Sequence, residues 1–307
     1  MTTGALNGLK VIDCTRVLGG PFCSQWLGDH GAEVIKIEPP QGDETRGWGP
    51  PFKDGASSYF IGVNRSKRGI ALDLRQEEGR EILHRLLAEA DVLIENFKTG
   101  TLDKWGTGYD TLSARYPRLI HARLSGFGAD GPLGGLPGYD AIVQAQAGLM
   151  SVNGARGDGP LRMGVPLVDI ATGMSLAFGI MAAAFERQTS GRGQFVEASL
   201  YDVACSLLFP HSANYLLSGT VAGRSGNQHA NVVPYDMFDC GADKIFIGCG
   251  NDGQWRKLCA ILGDPGFATD PAYATNADRL ANIDAMRTRL VALLAPHYAN
   301  AITRQLM

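Results

Sequence analysis

Asp169 is the residue of this 307-residue chain best placed to do chemistry. It stands in Gly164-Val165-Pro166-Leu167-Val168-Asp169-Ile170-Ala171-Thr172, directly before an apolar helical pattern over 170–187. An aspartate there is an ordinary N-cap, its side chain accepting from the first unpaired N–H groups of the helix. A capping box would place Glu or Gln three residues on, and Thr172 holds that position. The helix dipole and those N–H groups would keep the carboxylate ionised. Ionised, it can attack a thioester and form a mixed anhydride. Cap and nucleophile are compatible roles, and spacing alone leaves both open.

Two stretches match the glycine pattern of dinucleotide-binding turns, Gly126–Gly131 and Gly248–Gly253. The first is followed by Pro132, Gly134, Gly135 and Pro137, so no helix N-terminus receives a pyrophosphate. The second precedes a helix but lacks a later strand ending in an acidic residue for the ribose. With 40 glycines, chance matches are expected, and neither stretch argues for a nicotinamide or flavin. The six cysteines form no C-x-x-C pair and the six histidines no ligand spacing, so no metal is expected.

These residues need a scaffold, and the first 200 residues describe one. Short apolar runs at Leu9–Asp13, Glu33–Ile37, Ile70–Leu74, Asp91–Glu95, Leu119–Leu124 and Phe195–Ser199 read as strands. Helical spacing at Pro21–His30, Glu77–Ala90, Tyr109–Tyr116, Ile170–Arg187 and Tyr201–Ser218 falls between or after them. Alternation of this kind predicts an α/β fold with a parallel sheet and helices on its faces. Ligands then bind beyond the carboxyl ends of the strands, in loops such as Cys14–Pro21 and Glu95–Gly100. Beyond about Gly219 the texture changes to a polar turn, a strand at Lys244–Gly248 and helices at Gln254–Leu262 and Asn276–Ala295. Two domains are therefore expected, a large one over 1–220 and a small one over 221–307.

The net charge of −3 gives no sign of a general affinity for nucleic acid or an anionic membrane. No apolar run is expected to reach the roughly 18 residues of a bilayer span, and no export segment opens the chain. A cytoplasmic location without a membrane partner is the expectation.

Several segments together resemble the class III CoA-transferase family, of CaiB/BaiF type. They are Leu6–Asp13 with Arg16–Pro21, Gly28–Pro40, Asn64–Arg68, Asp91–Phe97, Gly138-Tyr139-Asp140 and the Asp169 segment, in family order over essentially the whole chain. The resemblance implies a Rossmann-like large domain, a smaller α+β domain and an interlocked homodimer. It makes Asp169 the covalent nucleophile, passing through an aspartyl anhydride and an aspartyl-CoA thioester. Acyl-CoA and a small carboxylic acid are the implied substrates, with no metal, ATP or permanently bound cofactor. By position, Val17, Leu18, Leu72, Arg75, Asn96, Phe97, Lys104 and Tyr139 resemble the residues that hold CoA. Gly248, Gly250 and Gly253 resemble a glycine loop that closes over the intermediate and keeps water from it.

The same scaffold carries 2-methylacyl-CoA racemases, which place a histidine at the position of Tyr139. A phenol, with an ordinary pKa of about 10, suits α-proton removal poorly near neutral pH, which favours transfer. The strings Thr45–Phe52, Ser58–Arg65, Ala213–Leu216 and Val232–Tyr235 are similar to the succinyl-CoA-dependent dicarboxylate transferases of succinate–hydroxymethylglutarate (glutarate) type. A second carboxylate wants a bidentate guanidinium, and Arg46, Arg65 and Arg279 are the candidates. The family pattern runs on past residue 307 in a return to the large domain that is expected to be absent here. That keeps a CoA-binding relative without turnover as a further reading.

Overall fold

The computed structural model describes residues 4–306. The chain divides into two compact units. One runs to Leu149 and resumes over Arg162–Phe209; the other takes Met150–Leu161 and everything from Pro210 onward. The second unit therefore begins about ten residues before the expected boundary and includes an excursion from within the first.

The first unit is built on six parallel strands: β1 (Lys10–Asp13), β2 (Glu33–Glu38), β3 (Lys67–Ala71), β4 (Val92–Glu95), β5 (Ile120–Ser125) and β6 (Phe195–Ser199). Their order across the sheet is β3-β2-β1-β4-β5-β6. This is the doubly wound order of dinucleotide-binding folds, with the direction of winding reversing between β1 and β4. The α/β expectation is met. Val11, Val92 and Ile94 are fully buried on the central strands, as continuous apolar runs covered on both faces require. The expected strand at Ile70–Leu74 lies three residues earlier. Leu72 and Leu74 do not extend the sheet but join a core cluster with Ile12, Ile37 and Leu93.

Helix α1 (Gly19–Asp29) follows β1, α2 (Glu77–Leu87) follows β3, and α3 (Asp140–Gln146) and α4 (Leu167–Ser190) follow β5. Helices α1 and α4 pack at a crossing of glycines: a β-carbon on Gly173 would lie 2.5 Å from the Gly19 carbonyl oxygen. Only paired glycines let two backbones approach so closely. Helix α4 differs from expectation in two ways. It starts three residues early, and it is not wholly buried, since Phe178 and Phe185 are 77% and 82% exposed. Its 24 residues, with a mean hydropathy of 1.7 in one window, make it long and apolar enough by length and composition to cross a membrane. The expectation that no segment reaches that measure is corrected. Counting uninterrupted apolar residues missed it because glycines, serines and threonines punctuate the helix.

The second unit holds an antiparallel hairpin, β7 (Tyr235–Cys240) and β8 (Asp243–Gly248), turning at Gly241 with φ of +61°. Helices α5 (His211–Ser218), α6 (Asp252–Ile261), α7 (Asn276–Ala281), α8 (Ile283–Leu294) and α9 (Ala299–Leu306) accompany it. Its core gathers Phe238, Ile245, Ile247, Trp255, Leu258, Phe267, Leu290 and Ile302. Alternate residues of β7 are buried, so Asp236, Phe238 and Cys240 face the core and Tyr235, Met237 and Asp239 face outward. The single helix expected at Tyr201–Ser218 is broken at Pro210, which cannot continue a helix interior. That over Asn276–Ala295 is broken at Asn282.

Candidate active site

The loops after β1 and β4 meet where the sheet reverses its winding. Asn96 ties them together: its Oδ1 accepts the Arg16 N–H at 3.0 Å and its Nδ2 donates to the Arg16 carbonyl at 2.8 Å. Beside them opens a cleft of about 220 Å³ lined by Arg16, Val17, Leu18, Gly19, Glu44 and Asn96–Thr99, closed by Gly135–Tyr139 and Asp169. Val17 adopts φ of +70°, unusual for a β-branched residue, and is held so between fixed neighbours.

Asp169 is the third residue of α4 and not its cap, since Pro166 takes the cap position without a side-chain bond. The two N–H groups that an N-cap would satisfy go elsewhere. Asp140, the buried first residue of α3, accepts from Val168 N–H at 2.8 Å and from Asp169 N–H at 3.0 Å through Oδ2. Its Oδ1 accepts from Gln144 Nε2 at 2.5 Å, and Gln144 Oε1 accepts the Met163 N–H at 3.0 Å. Thr172 donates back to the Val168 carbonyl at 2.7 Å. The Asp169 carboxylate itself lies against Gly19, where a β-carbon would stand 3.2 Å from its Oδ1.

This arrangement overturns the expectation of a carboxylate held firmly ionised. Burial, and after it the neighbouring charge of Asp140, raises the Asp169 carboxyl to about 7. The dipole of α4 is already engaged by Asp140, so Asp169 is left with desolvation and a like charge. Burial, with Asp169, Asp140 and Asp43 adding to it, also pushes the Tyr59 phenol to about 12. A carboxylate poised near neutrality is an effective nucleophile once ionised, because little solvation must be stripped from it.

Of the residues expected to hold CoA, Val17, Leu18, Asn96, Phe97 and Tyr139 line the cleft with Asp169. Leu72, Arg75 and Lys104 do not. Leu72 is in the core, Arg75 forms an exposed bidentate pair with Asp73 at 2.8 Å, and Lys104 is exposed at the end of a short helix. The three arginines expected to meet a substrate carboxylate each hold a carboxylate of the chain instead. Arg46 grips Glu38 through two 2.7 Å bonds, and Arg65 pairs with Asp29. Arg279 is fully buried in the second unit, bonded to Asp252 at 2.8 Å and to the Val233 carbonyl at 2.6 Å. Gly248 ends β8, Gly253 stands in the first turn of α6, and between them the Gly250 N–H donates to Gln254 Oε1 at 2.6 Å. No group of metal-ligating side chains occurs among the described residues.

Arg16, Lys98 and Gly19 were not singled out as site residues from sequence, nor was Asp140 given a role. A basic residue between a strand end and two glycines was the available signal for the first. For Asp140 nothing local pointed to a partner 28 residues away.

A doubly wound parallel sheet, a cleft at its switch point and a half-buried aspartate in that cleft define a class of site. The model of CoA-transferase family III matches residues 6–307. The chain belongs to that family. It is 43% identical over 284 residues to a succinate–glutarate CoA-transferase of Agrobacterium fabrum, covering 90% of this chain and 71% of the relative. It is 41% identical to an acetyl-CoA:oxalate CoA-transferase of Acetobacter aceti, covering 97% of this chain and 78% of the other. Among solved structures, a CAIB/BAIF family protein from Brucella suis superposes with a TM-score of 0.83 at 41% identity, over 99% of this chain and 82% of that one. The chain is thus a family III CoA-transferase that spans about seven to eight tenths of these relatives.

Proposed function

We propose that the chain moves CoA from succinyl-CoA to a small dicarboxylic acid through covalent intermediates on Asp169. The observation that carries this reading is the Asp169 carboxylate at the wall of the cleft formed by the Val17–Leu18 and Asn96–Phe97 loops. The ionised carboxylate attacks the acyl carbonyl, the C–S bond breaks, and CoA leaves as thiolate, forming a mixed anhydride of the donor acid with Asp169. The thiolate attacks the aspartyl carbonyl, releasing the donor acid and leaving an aspartyl-CoA thioester. The acceptor carboxylate attacks that thioester and expels thiolate again. Thiolate then takes the acceptor acyl group from the second anhydride and frees Asp169. Each bond broken is matched by one of similar energy, so no external activation enters.

Succinyl-CoA and a dicarboxylate acceptor are the reading that the succinate–glutarate relative supports. Arg16 and Lys98 line the cleft and suit the phosphates of CoA or a distal carboxylate. The exposed Phe178 and Phe185 on α4 suit burial against a second copy of the chain, as do Leu216 and Leu217 in the second unit. Light scattering on the purified protein tests the dimer, and a monomer at micromolar concentration excludes it.

Intact-mass spectrometry after mixing with succinyl-CoA tests the chemistry. An adduct on the wild type that is absent from Asp169→Ala is expected, with exchange of labelled succinate into succinyl-CoA. Neither adduct nor exchange would leave a CoA-binding protein without turnover. Solvent deuterium entering the α-position of a 2-methylacyl-CoA would establish the racemase instead. A panel of acceptor acids, glutarate and oxalate among them, identifies the second substrate.

A further inference from the structure

Two walls of the cleft are carried by segments distant in sequence, which meet at the surface where Arg16 Nη1 lies 3.9 Å from Glu44 Oε1. One is the Thr15–Leu18 loop after β1; the other is the turn at Glu44–Gly47, which brings Glu44 to the cleft. Between and beneath them lies Lys36 of β2, only 2% exposed and outside the cleft lining. Its Nζ donates to the Thr15 carbonyl at 2.7 Å and lies 3.1 Å from Asp43 Oδ2. We propose that Lys36 is a positioning residue, a buried ammonium ion that clamps the two walls of the CoA cleft at their working separation.

Each end of the clamp is itself fixed. On the first wall, Asp13 Oδ1 accepts both the N–H and the hydroxyl of Thr15, at 2.9 and 2.5 Å. Asp13 Oδ2 accepts from Ser24 at 2.5 Å and from Lys67 Nζ at 3.1 Å. Thr15 therefore has its N–H, hydroxyl and carbonyl all engaged, two residues before Val17 turns into the left-handed region. On the second wall, Asp43 Oδ1 accepts the N–H and hydroxyl of Thr45 at 3.0 and 2.8 Å, which closes the Glu44–Gly47 turn. The Asp43 N–H is in turn held by Glu38 at 2.8 Å.

The charges balance, with Asp13 and Asp43 facing Lys36 and Lys67. Burial works against ionisation of Asp13, yet Lys67 and Lys36 hold its carboxyl down at about 2. An apolar side chain of similar length would fill the same space at less desolvation cost. It could not hold a carbonyl on one wall and a carboxylate on the other. That is the reason to read Lys36 as a positioning residue and not as filling.

The inference rests on the cleft being the CoA site, so the test separates the two. The variant is Lys36→Met combined with Asp43→Asn, which leaves no lone charge buried and keeps an acceptor for Thr45. With the protein folded by circular dichroism, KM for acyl-CoA and the CoA dissociation constant are expected to rise about tenfold. The rate of adduct formation on Asp169 at saturating acyl-CoA is expected to stay within about twofold of wild type. Amide hydrogen exchange at Thr15–Val17 and Thr45–Gly47 is expected to quicken together, with or without ligand. Unchanged KM and unchanged exchange in a folded variant overturn the clamp. If the double variant does not fold, Asp43→Asn alone must raise KM in the same direction, and no rise there also overturns it. Wild type that fails to bind CoA overturns the functional reading, while the exchange measurement still decides the clamp.

Discussion

Asp140 Oδ2 accepts the backbone N–H of Asp169 at 3.0 Å, so the first residue of α3 orders the turn of α4 that carries the proposed nucleophile. The same carboxylate stands beside the Asp169 side chain as a like charge and, after burial, helps raise it to about 7. Positioning and pKa tuning come from one side chain, and they can be separated by substitution.

In the wild type, adduct formation requires ionised Asp169, so its rate should climb with pH and level off above about 7. At pH 6 it should be about tenfold below the plateau. Asp140→Asn keeps an oxygen to accept the two N–H groups but removes the charge. The acid limb should then move to lower pH with the plateau lowered only modestly. Rapid-quench rates across pH 5–9 decide this, and a limb that stays in place removes Asp140 as a tuning group.

The raised carboxyl also has a consequence for folding. Asp169 sits at about 7 in the native state against an ordinary 3.8, so between these values the folded chain binds more protons than the unfolded one. Wild-type stability therefore falls as pH rises through that window. Asp169→Asn never ionises, so its advantage over wild type should be small near pH 4 and grow to about 2 kcal/mol by pH 8, allowing for partial solvation. Urea unfolding at three pH values measures it. A difference that does not vary with pH would count against the buried charge.

Much of the scaffold was legible because strand patterns and helix patterns alternate cleanly. β1 and β4 were apparent from short apolar runs and β2 from Val34, Ile35 and Ile37 around Lys36, and the loops after β1 and β4 follow from where such sheets bind ligands. Less was legible where meaning depends on a distant partner. Arg46, Arg65 and Arg279 resemble substrate arginines in sequence, but each has a carboxylate 8 to 36 residues away that only folding brings to it. Asp169 looked like a cap because Asp140, 29 residues earlier, was not visible as the competitor for its N–H groups. The strand at Lys67–Ala71 was misplaced because it is a sheet edge, where Lys67 and Arg68 interrupt the apolar run.

The crossing of α1 and α4 should be sensitive to single methyl groups. In Gly173→Ala the new β-carbon would meet the Gly19 carbonyl at 2.5 Å, and backbone cannot rotate away. Separation of the helices should cost about 1–3 kcal/mol and displace Leu18 and Gly19 from the cleft. Gly179→Ala on the same helix meets only Val196 Cγ1, at 2.8 Å, a side chain that can turn. Thermal melting with kcat/KM for both variants should show loss of activity in the first and near wild-type activity in the second.

Arg279 provides the sharpest separation of a structural from a substrate role. Its guanidinium bonds Asp252, Val233 and Tyr273 and lies 5.2 Å from the Trp255 ring, with no surface exposed. Removing a partner from a buried ion pair strands the other charge, at about 3–5 kcal/mol where burial is complete and less where, as for Asp252, solvent reaches it. Arg279→Met should therefore lower the melting temperature strongly, and Arg279→Lys should restore little of it, since one ammonium cannot span the fork. The preference for dicarboxylate over monocarboxylate acceptors, read as a ratio of kcat/KM at a temperature where the variant is folded, should not change. A collapse of that ratio with stability preserved would instead place Arg279 on the substrate.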